Sequence, residues 1–128
     1  MKTGLLLSII FMLLHSCNVA FRNDRVKRFI PGVYARHYAD EYSDSYDTIE
    51  IRLIATGGSD GYTITKRTQL QKQTDDGKTT QEYQIKRWKG FYDDKTKTIW
   101  LPSTGKRIYF DPAKNELKTG TQPYKKLR

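Results

Sequence analysis

The feature that most constrains the fold is a period of two that recurs between turn signals. Thr48-Ile49-Glu50-Ile51-Arg52-Leu53 alternates strictly, with Ile49, Ile51 and Leu53 on one face and Thr48, Glu50 and Arg52 on the other. Successive side chains of a strand point to opposite faces, so this pattern predicts a half-buried strand. A helix would repeat its apolar positions every three or four residues. The same rhythm predicts strands over residues 62–73, 80–89, 98–101 and 107–110, with shorter ones at 32–38, 116–118 and 122–127.

Between them lie Gly57-Gly58-Ser59-Asp60-Gly61, Asp75-Asp76-Gly77-Lys78, Asp93-Asp94-Lys95, Ser103-Thr104-Gly105 and Asp111-Pro112-Ala113-Lys114-Asn115. Each has a turn mechanism: glycine accepts positive φ, proline presets its own φ, and aspartate bonds the backbone beyond it. Nine Tyr and two Trp, with many Thr, suit a pleated, half-buried surface. About eight short strands with evenly spaced turns predict an all-β chain, a small antiparallel meander closed or nearly closed into a barrel. Closure removes the free sheet edges on which such chains aggregate.

The expected interior is Ile49, Ile51, Leu53, Ile64, Ile85, Ile99, Ile108 and Phe110. In the return strand of the central hairpin Tyr83 and Ile85 share a face while Trp88 has the opposite parity. Either Trp88 points outward or a bulge near Lys86-Arg87 shifts the register.

The order of elements resembles the lipocalin-like small barrels, which often open on Gly-x-Trp; Pro31-Gly32-Val33-Tyr34 has Gly-x-Tyr in that place. The resemblance implies close backbone packing at Gly32 and a plug at Tyr34. A full-sized barrel of that kind holds one small ligand, whereas shorter strands leave an interior filled by side chains.

The N-terminus reads Met1-Lys2-Thr3, an apolar run over residues 4–14, then His15-Ser16-Cys17. One positive charge, a short apolar core and a small residue are the parts of a secretory signal, and the run falls short of the ~20 residues a spanning helix needs. Leu14-His15-Ser16-Cys17 resembles the bacterial lipobox, with His15 departing from the usual small or apolar residue. The resemblance implies cleavage between Ser16 and Cys17 and acyl chains on Cys17. This is the chain's single cysteine, so it cannot close an intramolecular disulfide. The expected organisation is a signal peptide at 1–16, a lipidated N-terminus and basic tether at 17–30 carrying Arg22, Arg25, Lys27 and Arg28, and a β-barrel domain at 31–128. The expected location is the bacterial cell envelope, lipid-anchored, on the outer membrane facing the periplasm.

Loss of Lys2 with the signal takes the 23 Lys and Arg to 22 against 14 Asp and Glu, a formal charge of +8. Such an excess favours anionic partners: lipid head groups, lipopolysaccharide phosphates, peptidoglycan carboxylates or nucleic acid. Catalytic equipment is not expected. After cleavage His37 is the only histidine, and Cys17 is committed to lipid. The pairs Asp40-Glu41, Asp75-Asp76 and Asp93-Asp94 diverge along the chain or serve turns. No set of zinc ligands, phosphate loop or dinucleotide fingerprint is present, so neither metal nor cofactor is expected.

Binding is the remaining class. Lys66, Arg67, Lys72, Lys78, Lys86, Arg87 and Lys89 fall on the central hairpin beside Tyr83, Trp88, Phe91 and Tyr92. The candidate surface is Lys86, Arg87, Trp88, Lys89, Phe91 and Tyr92, where aromatics stack and cations neutralise. The expected function is a membrane-anchored, non-enzymatic binding or accessory module for an envelope protein or an anionic glycan or lipid. The alternatives are a carrier of a small apolar ligand and an accessory of a conjugative transfer system, for which nucleic acid would be the partner.

Overall fold

A computed structural model describes residues 24–54 and 60–128. The signal, the lipobox with Ser16 and Cys17, the start of the tether and the Gly57-Gly58-Ser59 break lie outside the described residues.

The chain forms a short helix α1 (Arg25–Phe29) and eight strands: β1 (Gly32–Ala39), β2 (Ser43–Leu53), β3 (Gly61–Gln73), β4 (Thr79–Asp93), β5 (Thr98–Leu101), β6 (Lys106–Asp111), β7 (Glu116–Thr119) and β8 (Gln122–Lys126). Each strand pairs antiparallel with the next, and β1 closes on β8 through Tyr34 opposite Lys126 and Ala35 opposite Lys125. The result is the expected closed eight-stranded meander. No helix among the described residues is long and apolar enough to cross a membrane.

Turn chemistry sets the strand ends. Asp40 accepts hydrogen bonds from the Tyr42 and Ser43 amides at 2.9 and 2.8 Å, which tightens the β1–β2 connection to three residues. Asp44 to Asp47 then enter the ladder opposite β1, so β2 is longer than its apolar alternation announces. At the tip of the β3–β4 hairpin Thr74 donates to the Lys78 carbonyl at 2.7 Å and Gly77 takes φ 80°. Asp111 caps a single 3-10 turn (Pro112–Lys114), and Asn115 behind it is left-handed at φ 57°.

The interior contains Ile49, Ile51, Ile64, Ile99 and Ile108, as the alternation predicts, together with Tyr34, Tyr62, Tyr124, Leu101 and Leu117. Ile85 and Leu53 are exceptions at 42% and 52% exposed, and Phe110 is only partly buried. The β3–β4 register runs without interruption from Gly61 opposite Phe91 to Gln73 opposite Thr79, so no bulge occurs. Trp88 therefore stands opposite Ile64 on the inner face, and the odd-numbered Tyr83 and Ile85 face out. Leu53 occupies the last rung of β2, where the barrel no longer covers it.

Inner-face packing is tight at Gly90. A Cβ there would overlap Ile99 Cγ2 and lie 2.9 Å from Ile64 Cδ1 and 3.1 Å from Leu101 Cδ2. Gly90→Ala is expected to destabilise the barrel by about 1–3 kcal/mol through overpacking, read as a lower urea midpoint. An unchanged midpoint would show that the isoleucines yield freely.

Residues 24–30, expected to end a tether, instead seal one end of the barrel. Ile30 is fully buried, and Phe29 and Val26 pack on the core. A five-residue helix does not hold itself in water, so its stability comes from what it touches. Asp24 caps α1 at the Lys27 amide (3.0 Å) and accepts from the Tyr92 hydroxyl at 2.8 Å. Burial alone would raise the Asp24 carboxyl; these two hydrogen bonds and nearby Lys97 hold it below the ordinary value. Tyr34 donates to the Phe29 and Ile30 carbonyls, each at 2.9 Å. Its ring meets Phe29 and Phe110 edge-on at centroid distances of 5.8 and 6.3 Å. Lys126 donates to the Phe29 carbonyl and sits 4.3 Å from that ring's centroid. Gly32, at φ 151°, lies where a side chain would strike the Arg128 carbonyl.

Candidate functional site

The helix closes one end, and the other is open because the strands are unequal. β5 to β8 are four to six residues long, whereas β2, β3 and β4 have 11, 13 and 15. The β3–β4 hairpin and its neighbour β2 therefore run past the turns at 102–105 and 120–121 as a one-sided wall. At the step lies a cavity of about 610 Å³. Ile49, Ile64, Trp88, Leu101 and Ile108 form its floor, and Lys66, Lys86, Lys106 and Arg107 its rim.

The rim cations differ in their surroundings. Arg107 is held by Asp93 at 3.2 Å and Thr98 at 3.0 Å. Lys66 Nζ lies 3.6 Å from Asp47, whose carboxylate also accepts from the buried Tyr124 hydroxyl at 3.2 Å. No ion pair reaches Lys86 or Lys106 among the described residues. Lys66 and Lys86 are direct cross-strand partners on the inner face. Like charges in that position are destabilising. An anionic group held between them removes that repulsion.

The strand period divides the surface expected from the sequence. Lys86 and Trp88 line the mouth. Arg87 and Lys89, on the opposite parity, are exposed on the outer face. Phe91 is also outside, opposite Trp100 in the β4–β5 ladder, and both rings are nearly half exposed. Tyr92 is not a surface residue at all: it is 8% exposed and its hydroxyl is spent on Asp24. Lys106 and Arg107 come to the mouth from β6, far along the chain, and no local signal marks them.

A second groove, of about 660 Å³, crosses the outer face of the projecting wall. His37, Tyr46, Gln69 and Tyr83 occupy successive strands in one row there, and His37 contacts Asp44. His37 is thus an exposed residue of the outer surface, in contact with Asp44.

No protein-family model, curated protein or solved structure matches the chain.

Proposed function

We propose that this chain is a lipid-anchored lipoprotein of the bacterial cell envelope, acting as a non-enzymatic binding module whose barrel mouth takes an anionic group of an envelope polymer. The observation that carries the reading is the Lys66–Lys86 cross-strand pair, with Lys106 across the same opening and an apolar floor beneath. Ammonium groups on flexible stems suit phosphate or carboxylate as point charges, and Trp88 offers a stacking face. The formal charge adds attraction at longer range. Attachment rests on Leu14-His15-Ser16-Cys17, with acyl chains on Cys17 in the outer membrane and the barrel in the periplasm.

Titration with lipopolysaccharide and with soluble peptidoglycan fragments tests the mouth. Lys66→Glu, Lys86→Glu and Lys106→Glu combined are expected to weaken binding by about tenfold or more, and wild-type affinity to fall as salt rises. Arg87→Glu with Lys89→Glu, on the other face, is expected to change it by no more than about twofold. Equal losses from both sets would reject the mouth as the site.

The apolar floor favours a second reading, carriage of a small apolar ligand. Tyr34 and Tyr62 fill the interior towards the helix, so such a ligand would sit at the mouth above Ile49, Ile64 and Ile108. Native mass spectrometry of protein taken from its own membrane would show the added mass, and a clean apo mass would dismiss it.

A further inference from the structure

The length mismatch that opens the mouth also strips a strand of its neighbour. β4 pairs with β5 only over Phe91–Asp93, so residues 79–90 have β3 on one side and no strand on the other among the described residues. A long bare edge recruits other strands unless its side chains forbid it. Here the side chains select a partner.

The hydrogen-bond phase of this edge is fixed. Thr74 bonds the Lys78 carbonyl, and Tyr92 bonds the Asp60 carbonyl, at the two ends of the β3–β4 ladder. Groups alternate along a strand, so the even-numbered residues of β4 bond β3 and Gln81, Tyr83, Ile85 and Arg87 offer their amides and carbonyls outward. Antiparallel pairing of two such edges must set odd against odd. With the two-fold axis at Gln84, Gln81 pairs with Arg87 and Tyr83 with Ile85, each twice. On the opposite face Glu82 then stands against Lys86, also twice. Moving the axis to Ile85 sets Glu82 against Trp88, and moving it to Tyr83 sets Lys86 against Thr80; both registers lose the ion pairs. Tyr83 and Ile85, 56% and 42% exposed in the single chain, cover each other in the Gln84-centred register alone.

We propose that β4 pairs with β4 of a second copy of this chain, antiparallel about Gln84, joining the two projecting walls into one continuous sheet. This interface shares Lys86 with the mouth but does not rest on what binds there. It employs the edge of the strand, and Lys66 and Lys106 take no part in it.

Cross-linking tests the register directly. At the axis, Gln84 faces its own copy as a non-hydrogen-bonded pair, whose Cα separation of about 4.5 Å lies within disulfide range. Full-length Gln84→Cys, purified in detergent and treated with a mild oxidant, is expected to give several-fold more disulfide dimer than the wild type, which carries Cys17 alone. Gln71→Cys, exposed one strand inside the edge, is expected to stay at the wild-type level. Adding Glu82→Lys to Gln84→Cys should lose the dimer, and adding Lys86→Glu as well should restore it. Gln84→Cys no more cross-linked than Gln71→Cys overturns the proposal, as does failure of the double charge swap to restore the dimer. Sedimentation of the unmodified full chain as a monomer at every concentration overturns it too.

Discussion

Replacing Tyr34 with alanine is expected to remove about 3–5 kcal/mol of stability. That is a large part of the ~5–15 kcal/mol typical of a whole domain. Tyr34 is fully buried and performs two tasks at the helix-closed end. Its ring packs edge-on against Phe29 and Phe110, and the single proton of its hydroxyl is shared between the carbonyls of Phe29 and Ile30, where α1 runs out. Alanine vacates the space and leaves both carbonyls without that donor. Phenylalanine keeps the ring and loses only the hydroxyl, and is expected to cost about 1–2 kcal/mol. Urea unfolding of the two variants separates the contributions. A Tyr34→Ala loss below that of Tyr34→Phe would refute the plug.

The second large effect is alkaline unfolding. Burial pushes the Tyr34, Tyr62 and Tyr92 hydroxyls upward, with the Asp24 hydrogen bond adding to the last. Tyr124 is pushed up to about 12, first by burial and then by the Asp47 carboxylate beside it. In the unfolded chain each ionises near the ordinary value of 10.0. A folded value above the unfolded one favours the neutral form, so this stability is fully present below pH ~10 and is lost as pH rises through the folded values. For Tyr124 alone the shift corresponds to roughly 2–3 kcal/mol. Stability should therefore decline little up to pH ~10 and then collapse, with tyrosinate absorbance and loss of the β signal in circular dichroism rising together. A barrel that stayed folded while all its tyrosines ionised would contradict the buried placement.

The alternation of isoleucines and the Asp- and Gly-containing turns made the meander and its strand count legible, because both are local properties of the chain. Ile49, Ile51 and Ile64 could be assigned inward from sequence for the same reason. The tyrosines could not. An apolar ring with a polar tip suits either face, and Tyr34, Tyr62 and Tyr124 are interior while Tyr83 and Tyr109 are exposed. The choice between Ile85 and Trp88 was likewise open, since which parity of β4 faces inward is fixed by its register with β3. The candidate surface mixed Lys86 and Trp88 with residues of the other face on that account. Lys106 and Arg107 reach the mouth only through closure of the barrel. Residues 24–30 carry no alternation, and their burial depends on an aromatic cluster assembled from β1 and β6.

Under the proposed lipid anchor, the plug formed by α1 would decide from which end the protein is moored. Cys17, the proposed lipid site, precedes Asp24 by seven residues, a span of at most about 25 Å, and Asp24 stands at the sealed end. A single chain tied there swings its hairpin tip farthest from the bilayer. Two chains joined antiparallel along β4 have their sealed ends at opposite extremes. Lipids on both chains would then pull down on the two ends of one bar, laying its long strands along the membrane plane instead of letting them stand upright.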